Sequence, residues 1–327
     1  MRYYVTGATG FIGGRLARAL VERGHTVVAP ARHPDKASDL VALGVTVHRG
    51  DVTEKESMRD AMTGADGVFH VAGWYKVGVR DSSMAQAINV DGTRNVLELM
   101  RDLKIPKGVY TSTLAVNSDT GGIIVDETYR FHGTHISEYD RTKAAAHAVA
   151  ESMIAQGLPL VIVMPGLVYG IGDTSSTRTA FVQYLQRKLP ILPEKTSFAW
   201  AHVDDIVNGH ILAMEKGTPG ESYIIAGPVH GMIEGFRIAA GITGVPMTKL
   251  HIAPTMMKLS SALMRPLAAI MPLPEMFHPE TLRITAGVTY IGSNAKAKRE
   301  LGYDPRPLDV GMREWLEYEM GLLGIKK

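Results

Sequence analysis

The chain has 327 residues, of which 45% are hydrophobic and 21% charged, and its 35 basic and 33 acidic side chains give a formal net charge of +2. This near-balance gives no electrostatic reason to expect nucleic acid or an anionic membrane as a partner. The chain contains no cysteine, which excludes disulfides, zinc–thiolate sites and thiol nucleophiles. Its length suits one large domain or two coupled ones.

Two features bear on location. The chain enters a predicted strand at once, which leaves no room for a signal peptide, and the lack of cysteine permits the cytoplasmic location that we expect. The most apolar late stretch, residues 256–277, is interrupted by Lys258, Arg265, Glu275 and three prolines. We therefore predict no membrane span there.

The first element is a strand, a glycine turn and a helix. Residues 3–14 read YYVTGATGFIGG, and residues 15–23 have a helical pattern of apolar side chains. Gly7 permits a tight turn, Gly10 lets a diphosphate approach the backbone, and Gly13 lets the helix pack close to the sheet. We expect this turn, with Thr9, Phe11 and Ile12, to hold a dinucleotide on the free N–H groups of the helix. An ordinary strand-to-helix turn is the alternative.

The next two strands suggest which cofactor is bound. Residues 25–31 form a short apolar strand, and Arg32 follows directly, with Lys36 nearby. An arginine at this strand end suits the extra phosphate of NADP, whereas an acidic residue would bind the ribose of NAD. A solvated loop charge is the alternative for Arg32. A third strand, 44–49, precedes Asp51 and Val52, and Asp51 could bind the adenine amino group, cap the predicted helix 54–62, or both.

Hydroxyl groups follow a later strand. Residues 67–72 predict a buried strand containing His70, which we interpret as a packed side chain, and residues 85–103 predict a long helix. Residues 108–111 predict the next strand, which ends in Thr111, Ser112 and Thr113. Open α/β sheets bind ligands at the carboxyl ends of their strands, so these hydroxyls are candidate ligand contacts, with a polar turn as the alternative.

Tyr139 and Lys143 are the strongest catalytic candidates. They lie four residues apart at the start of a predicted helix, which places the phenol and the ammonium on one face. A nearby ammonium is expected to lower the pKa of the phenol toward the working range. A sixth strand, 160–164, follows. We predict a cofactor domain over residues 1–170, to which a segment near 199–226 returns, and a mostly substrate-binding domain over 171–327.

Eight motifs together resemble the extended short-chain dehydrogenase/reductases of the NAD(P)-dependent epimerase/dehydratase superfamily. They are TGATGFIG (6–13), GDV (50–52), NVDGTRNVLE (89–98), YTST (110–113), YDRTK (139–143), PGLVYGIGD (165–173), HVDDIVNGH (202–210) and NAKAKRELGYDP (294–305). The resemblance implies an α/β fold, a Rossmann-type doubly wound parallel sheet with a smaller α+β substrate domain. Within the superfamily, the dihydroflavonol-reductase branch is the most similar.

The resemblance also assigns roles to residues. It places Thr113 as the catalytic hydroxyl, Tyr139 as the proton donor or acceptor, Lys143 as the group that binds the nicotinamide ribose and tunes Tyr139, and Asn89 as a support for the lysine and a water relay. The other residues that it places along the cofactor are Val71, Ala72, Gly73, Thr111, Pro165, Gly166 and Val168.

Three functions remain open from the sequence. The first is an NADP(H)-dependent reductase of a ketone or aldehyde, favoured by Arg32 and by an apolar late segment with Trp200, Met256, Met257, Met264 and Met271 that could form an adaptable pocket or simply be core. The second is an NAD-dependent sugar-nucleotide epimerase, which the absence of a basic residue in 197–201 disfavours. Leu114 and Ala115 occupy the position where dehydratases of the family carry an Asp-Glu pair, which disfavours a dehydration reaction. The third is a cofactor-sensing protein without turnover.

The remaining expectations concern partners. We expect a small-molecule carbonyl or alcohol substrate and no metal, because no metal-ligand spacing is evident. His132 and His135 could line the mouth of the pocket or lie on the surface. The resemblance implies a homodimer formed through the 85–103 helix and the helix of Tyr139.

Overall fold

The structure is a computed structural model that describes residues 1–76, 81–271, 273 and 278–326. Its strands are β1 (Arg2–Thr6), β2 (Thr26–Ala31), β3 (Thr46–Arg49), β4 (Gly67–His70), β5 (Gly108–Thr111), β6 (Leu160–Pro165), β7 (Leu167–Tyr169), β8 (Leu192–Pro193), β9 (Ser197–His202), β10 (Ser222–Ile225), β11 (Val229–Gly231), β12 (His251–Ile252) and β13 (Thr289–Tyr290).

The helices of these described residues follow in the same order. They are α1 (Phe11–Glu22), α2 (Ser38–Ala42), α3 (Arg59–Met62), α4 (Ser83–Ala85), α5 (Gly92–Asp102), α6 (Glu138–Ala155), α7 (Ser176–Leu185), α8 (Val203–Lys216), α9 (Met232–Thr243), α10 (Pro254–Ile270), α11 (Pro279–Ile284), α12 (Ala295–Leu301) and α13 (Leu308–Leu323). Short 3₁₀ helices lie at Pro34–Lys36, Lys55–Met58 and Leu114–Asn117.

A seven-stranded sheet forms the centre of the fold. Its order is β10-β6-β5-β4-β1-β2-β3, and every neighbouring pair is parallel. The chain moves outward from β1 in one direction through β2 and β3, and then in the other from β4, so the direction switches between β1 and β4. This is the doubly wound, Rossmann-type α/β architecture that the sequence predicted, and ligands bind at such a switch point.

Helices cover both faces of this sheet. Alternate residues of β1 point to opposite sides, so Val5 packs in a core with Leu16 of α1 and Ile206 of α8, whereas Tyr4 packs in a second core with Val96 of α5. Burial of the strands on both faces explains why they read as nearly continuous apolar runs. Because helices cover both faces, a ligand is expected at the strand ends of the sheet.

The predicted long helix over 85–103 is wrong in one respect. The structure forms α4, then a π-helical stretch at Gln86–Asp91, then α5. The wider turn carries Asn89, which is buried. A π-helical turn inside an α-helix commonly occurs at functional sites, and propensity cannot distinguish it from an ordinary helical turn.

A smaller mixed region follows the sixth strand. Strands β11, β9 and β13 form a second sheet, β7 also pairs with β9, and β8 pairs with β12. A third core joins this region to α7, α9 and α13 around Phe181, Trp200 and Trp315. Thus β10 joins the seven-stranded sheet while β9 belongs to the smaller one.

None of the helices within the described ranges combines the length and the apolar character that crossing a membrane requires. Helix α10 takes up most of the methionine-rich stretch and contains Pro266. Residues 272 and 274–277, the end of that stretch, lie outside the described residues.

Candidate active site

A cavity of about 510 Å³ lies at the carboxyl ends of the central strands. Two of the predicted site residues, Lys36 and Asn89, do not line it. The predicted residues that do are Gly7, Thr9, Gly10, Phe11, Ile12, Gly13, Arg32, Asp51, Val52, Val71, Ala72, Gly73, Thr111, Thr113, Tyr139, Lys143, Pro165, Gly166 and Val168. The fold therefore brings these sequence-distant motifs into one continuous space.

The glycine turn has the geometry that a bound diphosphate requires. Gly7 has a φ of +73°, which an L side chain rarely adopts, and a Cβ on Gly13 would lie 2.1 Å from the carbonyl oxygen of Gly7. Helix α1 begins immediately after Gly10, and no side chain caps its first N–H groups. The residues that carry those N–H groups line the cavity, so this helix start fits the diphosphate of a dinucleotide.

The far end of the cavity carries one cation. Arg32 is exposed and lines the cavity, whereas Lys36 sits exposed on the 3₁₀ helix Pro34–Lys36, outside the lining. Asp51 also lines this end, but its Oδ1 accepts hydrogen bonds from the Thr53 N–H and hydroxyl, each at 2.9 Å. Asp51 therefore stabilises the turn after β3, and its predicted role as a helix cap is wrong because no side chain caps the helix at Lys55–Met58.

The three hydroxyls after β5 have different partners. Thr111 Oγ1 lies 2.8 Å from Nε2 of His210, whose Nδ1 donates to the Ile206 carbonyl, and Ser112 Oγ lies 2.8 Å from Nδ1 of His147. Thr113 is the remaining hydroxyl: its Oγ1 accepts from the Ala115 N–H at 3.1 Å, and the hydroxyl acts to lower the pKa of the Tyr139 phenol. Two histidines thus engage the first two hydroxyls, and Thr113 is the one that influences the predicted proton donor.

Lys143 is buried beneath Tyr139. Its Nζ donates to the Thr111 carbonyl at 2.8 Å and to the Tyr110 hydroxyl at 3.2 Å, and it lies 4.9 Å from the centre of the Tyr110 ring. Burial lowers the pKa of the Lys143 ammonium to about 7. A buried cation is costly, and these few contacts offset only part of its lost hydration.

The predicted lowering of the Tyr139 pKa is wrong. Burial raises the pKa of the phenol to about 12, and the Thr113 hydroxyl only partly opposes this rise. The Lys143 ammonium points to the β5 backbone and to Tyr110 and makes no hydrogen bond to Tyr139. Tyr139 and Lys143 share a helix face, but burial, with a smaller contribution from the Asp140 carboxylate, determines the direction of the phenol's pKa shift.

Asn89 makes contacts other than the expected ones. Its Oδ1 accepts from the Trp74 N–H at 2.7 Å, and its Nδ2 donates to the Trp74 carbonyl at 2.9 Å and to Thr142 Oγ1 at 3.0 Å. This arrangement fixes the backbone that leaves β4 along the cavity. His70 is a packed residue between Thr6 and Thr93, at 2.8 and 3.0 Å, as the sequence suggested.

The side of the cavity beyond Tyr139 was largely missed by sequence reasoning. It is lined by Ser137, Asp140, Phe198, Ile284 and Tyr290. No motif links these residues, which come from three distant parts of the chain. Asp173 and Ser175 also line the cavity, and the Asp173 carboxylate accepts hydrogen bonds from the Ser175 N–H and hydroxyl at 2.8 and 2.9 Å.

The residues predicted to form an apolar pocket do not line the cavity. Trp200 is only 1% exposed, and its indole N–H donates to the His230 carbonyl at 3.0 Å, so it belongs to the core of the smaller region. The four methionines named with it do not line the cavity, and neither do His132 and His135. His135 instead packs against Phe131 at a ring-centre distance of 5.1 Å.

Carboxylates and one histidine meet outside the cavity. In the described part of the chain, only His202, Asp204 and Glu314 come close enough together to hold a metal ion. Arg15 already pairs with Asp204 at 2.7 Å, and Arg306 with Glu314 at 3.3 Å. These two guanidinium groups supply the positive charge that a metal would provide.

Known proteins resemble this chain in sequence. The model of the NAD dependent epimerase/dehydratase family matches residues 3–226. A Synechocystis protein provisionally named dihydroflavonol 4-reductase is 32% identical over 256 residues, which cover 76% of this chain and 74% of that protein. The chain belongs to the NAD-dependent epimerase/dehydratase family. Like its relatives, it is an NAD(P)-dependent enzyme of the extended short-chain dehydrogenase/reductase type.

Other family members match almost the whole chain. The 4-hydroxy-2-methyl-3-oxo-4-farnesyl-3,4-dihydroquinoline-1-oxide ketoreductase of Stigmatella aurantiaca is 30% identical and covers 94% of this chain and 92% of its own. The crystal structure of gox2253 is similar with a TM-score of 0.85, 29% identity and 99% coverage of both chains. The UDP-glucose 4-epimerase of Thermotoga maritima has a TM-score of 0.77, 21% identity and coverage of 99% and 100%, which shows a common fold.

Proposed function

We propose that this oxidoreductase uses NADPH to reduce a ketone or aldehyde to an alcohol at a Thr113–Tyr139–Lys143 site. The observation that carries the proposal is that Thr113, Tyr139 and Lys143 line one cavity together with the glycine turn and Arg32. Two hydroxyls therefore meet where a substrate oxygen could bind, in the same space as a diphosphate site.

The chain's own groups provide binding and proton transfer. The nicotinamide supplies the hydride when bound. Thr113 and Tyr139 donate hydrogen bonds to the substrate carbonyl oxygen, which stabilises the negative charge that develops there. The Tyr139 O–H bond then breaks as the product O–H bond forms, and solvent later returns a proton to Tyr139. The Lys143 ammonium lies one helical turn away and favours the phenolate at that stage.

The cofactor preference in this proposal depends on Arg32. Its guanidinium can pair with the extra phosphate of NADPH, whereas no acidic side chain directly follows β2 to bind the ribose of NADH. We also propose a cytoplasmic location, where NADPH would be available to this enzyme. The first 170 residues, with the returning segment near 199–226, would hold the cofactor, and residues 171–327 would form most of the substrate side of a homodimeric enzyme.

The substrate side favours reduction over epimerisation. Residues 197–201 contain no basic side chain for a nucleotide diphosphate, and the cavity wall there is built from Phe198, Ile284 and Tyr290. The names of the Synechocystis and Stigmatella relatives also denote reductases. An NAD-dependent epimerase remains the second candidate, because the epimerase from Thermotoga has the same fold.

The test is to offer the protein NADPH and a panel of aldehydes and ketones, and to measure turnover as the loss of NADPH absorbance. Tyr139→Phe should lower kcat by roughly 10²–10⁴-fold, because the proton donor is lost while the ring is retained. Tyr318→Phe, an exposed phenol on α13, is the matched control and should be unchanged. Full activity of Tyr139→Phe, or conversion of a UDP-sugar without net NADPH oxidation, would contradict the proposal.

A further inference from the structure

A carboxylate with both oxygens engaged lies beside the proposed proton donor. Asp140 is only 2% exposed, yet it lines the cavity. Its Oδ1 accepts from the Ser137 hydroxyl at 2.7 Å, and its Oδ2 accepts from the Tyr290 hydroxyl at 3.0 Å. Ser137 also caps α6 by accepting from the Asp140 N–H at 3.0 Å. Asp140 is therefore locked in place by its own helix cap and directed at Tyr290.

The direction of these hydrogen bonds fixes what Tyr290 can offer. Burial raises the pKa of Asp140 to about 6, which still leaves it ionised near neutral pH. An ionised carboxylate only accepts, so the Tyr290 hydrogen is committed to Asp140. The phenol oxygen keeps its lone pairs, and Tyr290 lines the cavity. Tyr290 is thus an acceptor for a ligand, in contrast to Thr113 and Tyr139, whose hydroxyls can donate.

The surroundings of this acceptor are aromatic and apolar. Tyr290 of β13 is the cross-strand partner of Phe198 of β9, and the two rings are parallel within 3° with centres 6.0 Å apart. Ile284 completes the wall from α11. Two parallel aromatic rings on adjacent strands make this part of the wall rigid and apolar, which suits an aromatic ligand.

We propose that Tyr290 forms a substrate-recognition subsite that accepts a hydrogen bond from a hydroxyl group on a planar carbonyl compound, at a position remote from the reacting carbonyl. Asp140 is the positioning residue that orients this acceptor. The inference rests on the proposed function only for the reacting carbonyl, since the hydroxyl preference can be measured by binding alone. It gives the substrate class as hydroxylated aromatic or ring-conjugated ketones and aldehydes.

The first test is binding without turnover. The probes are 3- and 4-hydroxybenzaldehyde and their methoxy counterparts, titrated by calorimetry into protein saturated with NADP⁺. The methoxy group keeps the size and the ring but removes the donated hydrogen. Wild type should bind at least one hydroxy isomer about 3- to 10-fold more tightly than its methoxy partner, as one hydrogen bond allows. Equal affinities for both pairs would overturn the proposal.

Two variants locate the preference. Tyr290→Phe should abolish the difference between hydroxy and methoxy probes while leaving the affinity for the methoxy probes unchanged. Asp140→Asn retains the shape but can donate as well as accept, so it should weaken the preference for hydroxy over methoxy probes in the same calorimetric titrations. Tyr318→Phe is the control. A preference that survives Tyr290→Phe would refute the subsite.

The outcomes separate this inference from the proposed function. Hydroxyl-dependent binding without NADPH oxidation would support the subsite and refute the reductase. NADPH oxidation with no difference between hydroxy and methoxy probes would support the reductase and refute the subsite. If Asp140→Asn does not fold, Tyr290→Phe still decides the question, because it removes one hydroxyl and leaves the helix cap at Ser137 intact.

Discussion

Replacing Lys143 by methionine should make the protein more stable while abolishing catalysis. Burial lowers the pKa of Lys143 from 10.5 to about 7, and at about 1.4 kcal/mol per pKa step this difference corresponds to a charging cost of about 5 kcal/mol. The variant also loses the hydrogen bonds to Thr111 and Tyr110, and leaving buried acceptors unpaired costs about 2 kcal/mol. The net gain at neutral pH is about 3 kcal/mol, or a rise in Tm of roughly 5 °C.

The pH dependence identifies the cause. The folded protein binds fewer protons than the unfolded chain between about pH 7 and about pH 10, because its lysine pKa is depressed, so the contribution of Lys143 to stability rises with pH across that window. Lys143→Met should lack this rise. Chemical denaturation of both proteins at several pH values measures it, with Lys143→Arg as a control that keeps the charge. A variant less stable than wild type at neutral pH, or the same pH slope in both proteins, would refute the reasoning.

Three further predictions concern the ends of the cavity and the smaller region. Arg32→Ser should raise the Kd for NADPH by about 10- to 100-fold, as loss of a charge-assisted contact implies, with the Kd for NADH unchanged in fluorescence titrations. Gly13→Ala should abolish cofactor binding in the same titration, because its Cβ would lie 2.1 Å from the Gly7 oxygen; wild-type affinity would contradict this. Arg178→Ala should lower the free energy of unfolding by about 3 kcal/mol, because it leaves a buried carboxylate without its partner. Glu319 is 1% exposed and accepts hydrogen bonds from the Arg178 guanidinium at 2.7 and 2.9 Å. Urea denaturation measures that loss, and Arg130→Ala, which breaks an exposed pair, should cost under about 1 kcal/mol.

The parts of the fold that depend on local pattern were predictable. The glycine turn, the strands of the seven-stranded sheet and the helix of Tyr139 each have a signature within a few neighbouring residues. Gly7 and Gly13 were identifiable because close backbone approach admits no side chain. The resemblance then ordered these pieces, which explains why nearly all predicted cofactor residues line one cavity.

The parts that depend on tertiary contact were not predictable. Tyr290 and Asp140 are 150 residues apart in sequence, and β13 is only two residues long. No local sequence pattern therefore predicts the hydrogen bond between them. The sequence could not show that Trp200 fills a core, because an aromatic strand residue suits a core and a pocket equally. The pKa of Tyr139 was predicted from one neighbour, Lys143, but burial determines its direction.

The central claim is that the enzyme exchanges its cofactor and uses it as a hydride donor. The most direct measurement has two parts. One sample of the freshly purified protein is denatured and any nucleotide released is identified, and a second sample, freed of nucleotide, is titrated with NADPH and NADH. We expect little or no retained NAD, and a clearly tighter affinity for NADPH than for NADH because Arg32 pairs with the extra phosphate. Stoichiometric NAD that survives purification would contradict it and indicate an internal redox cycle of the epimerase kind.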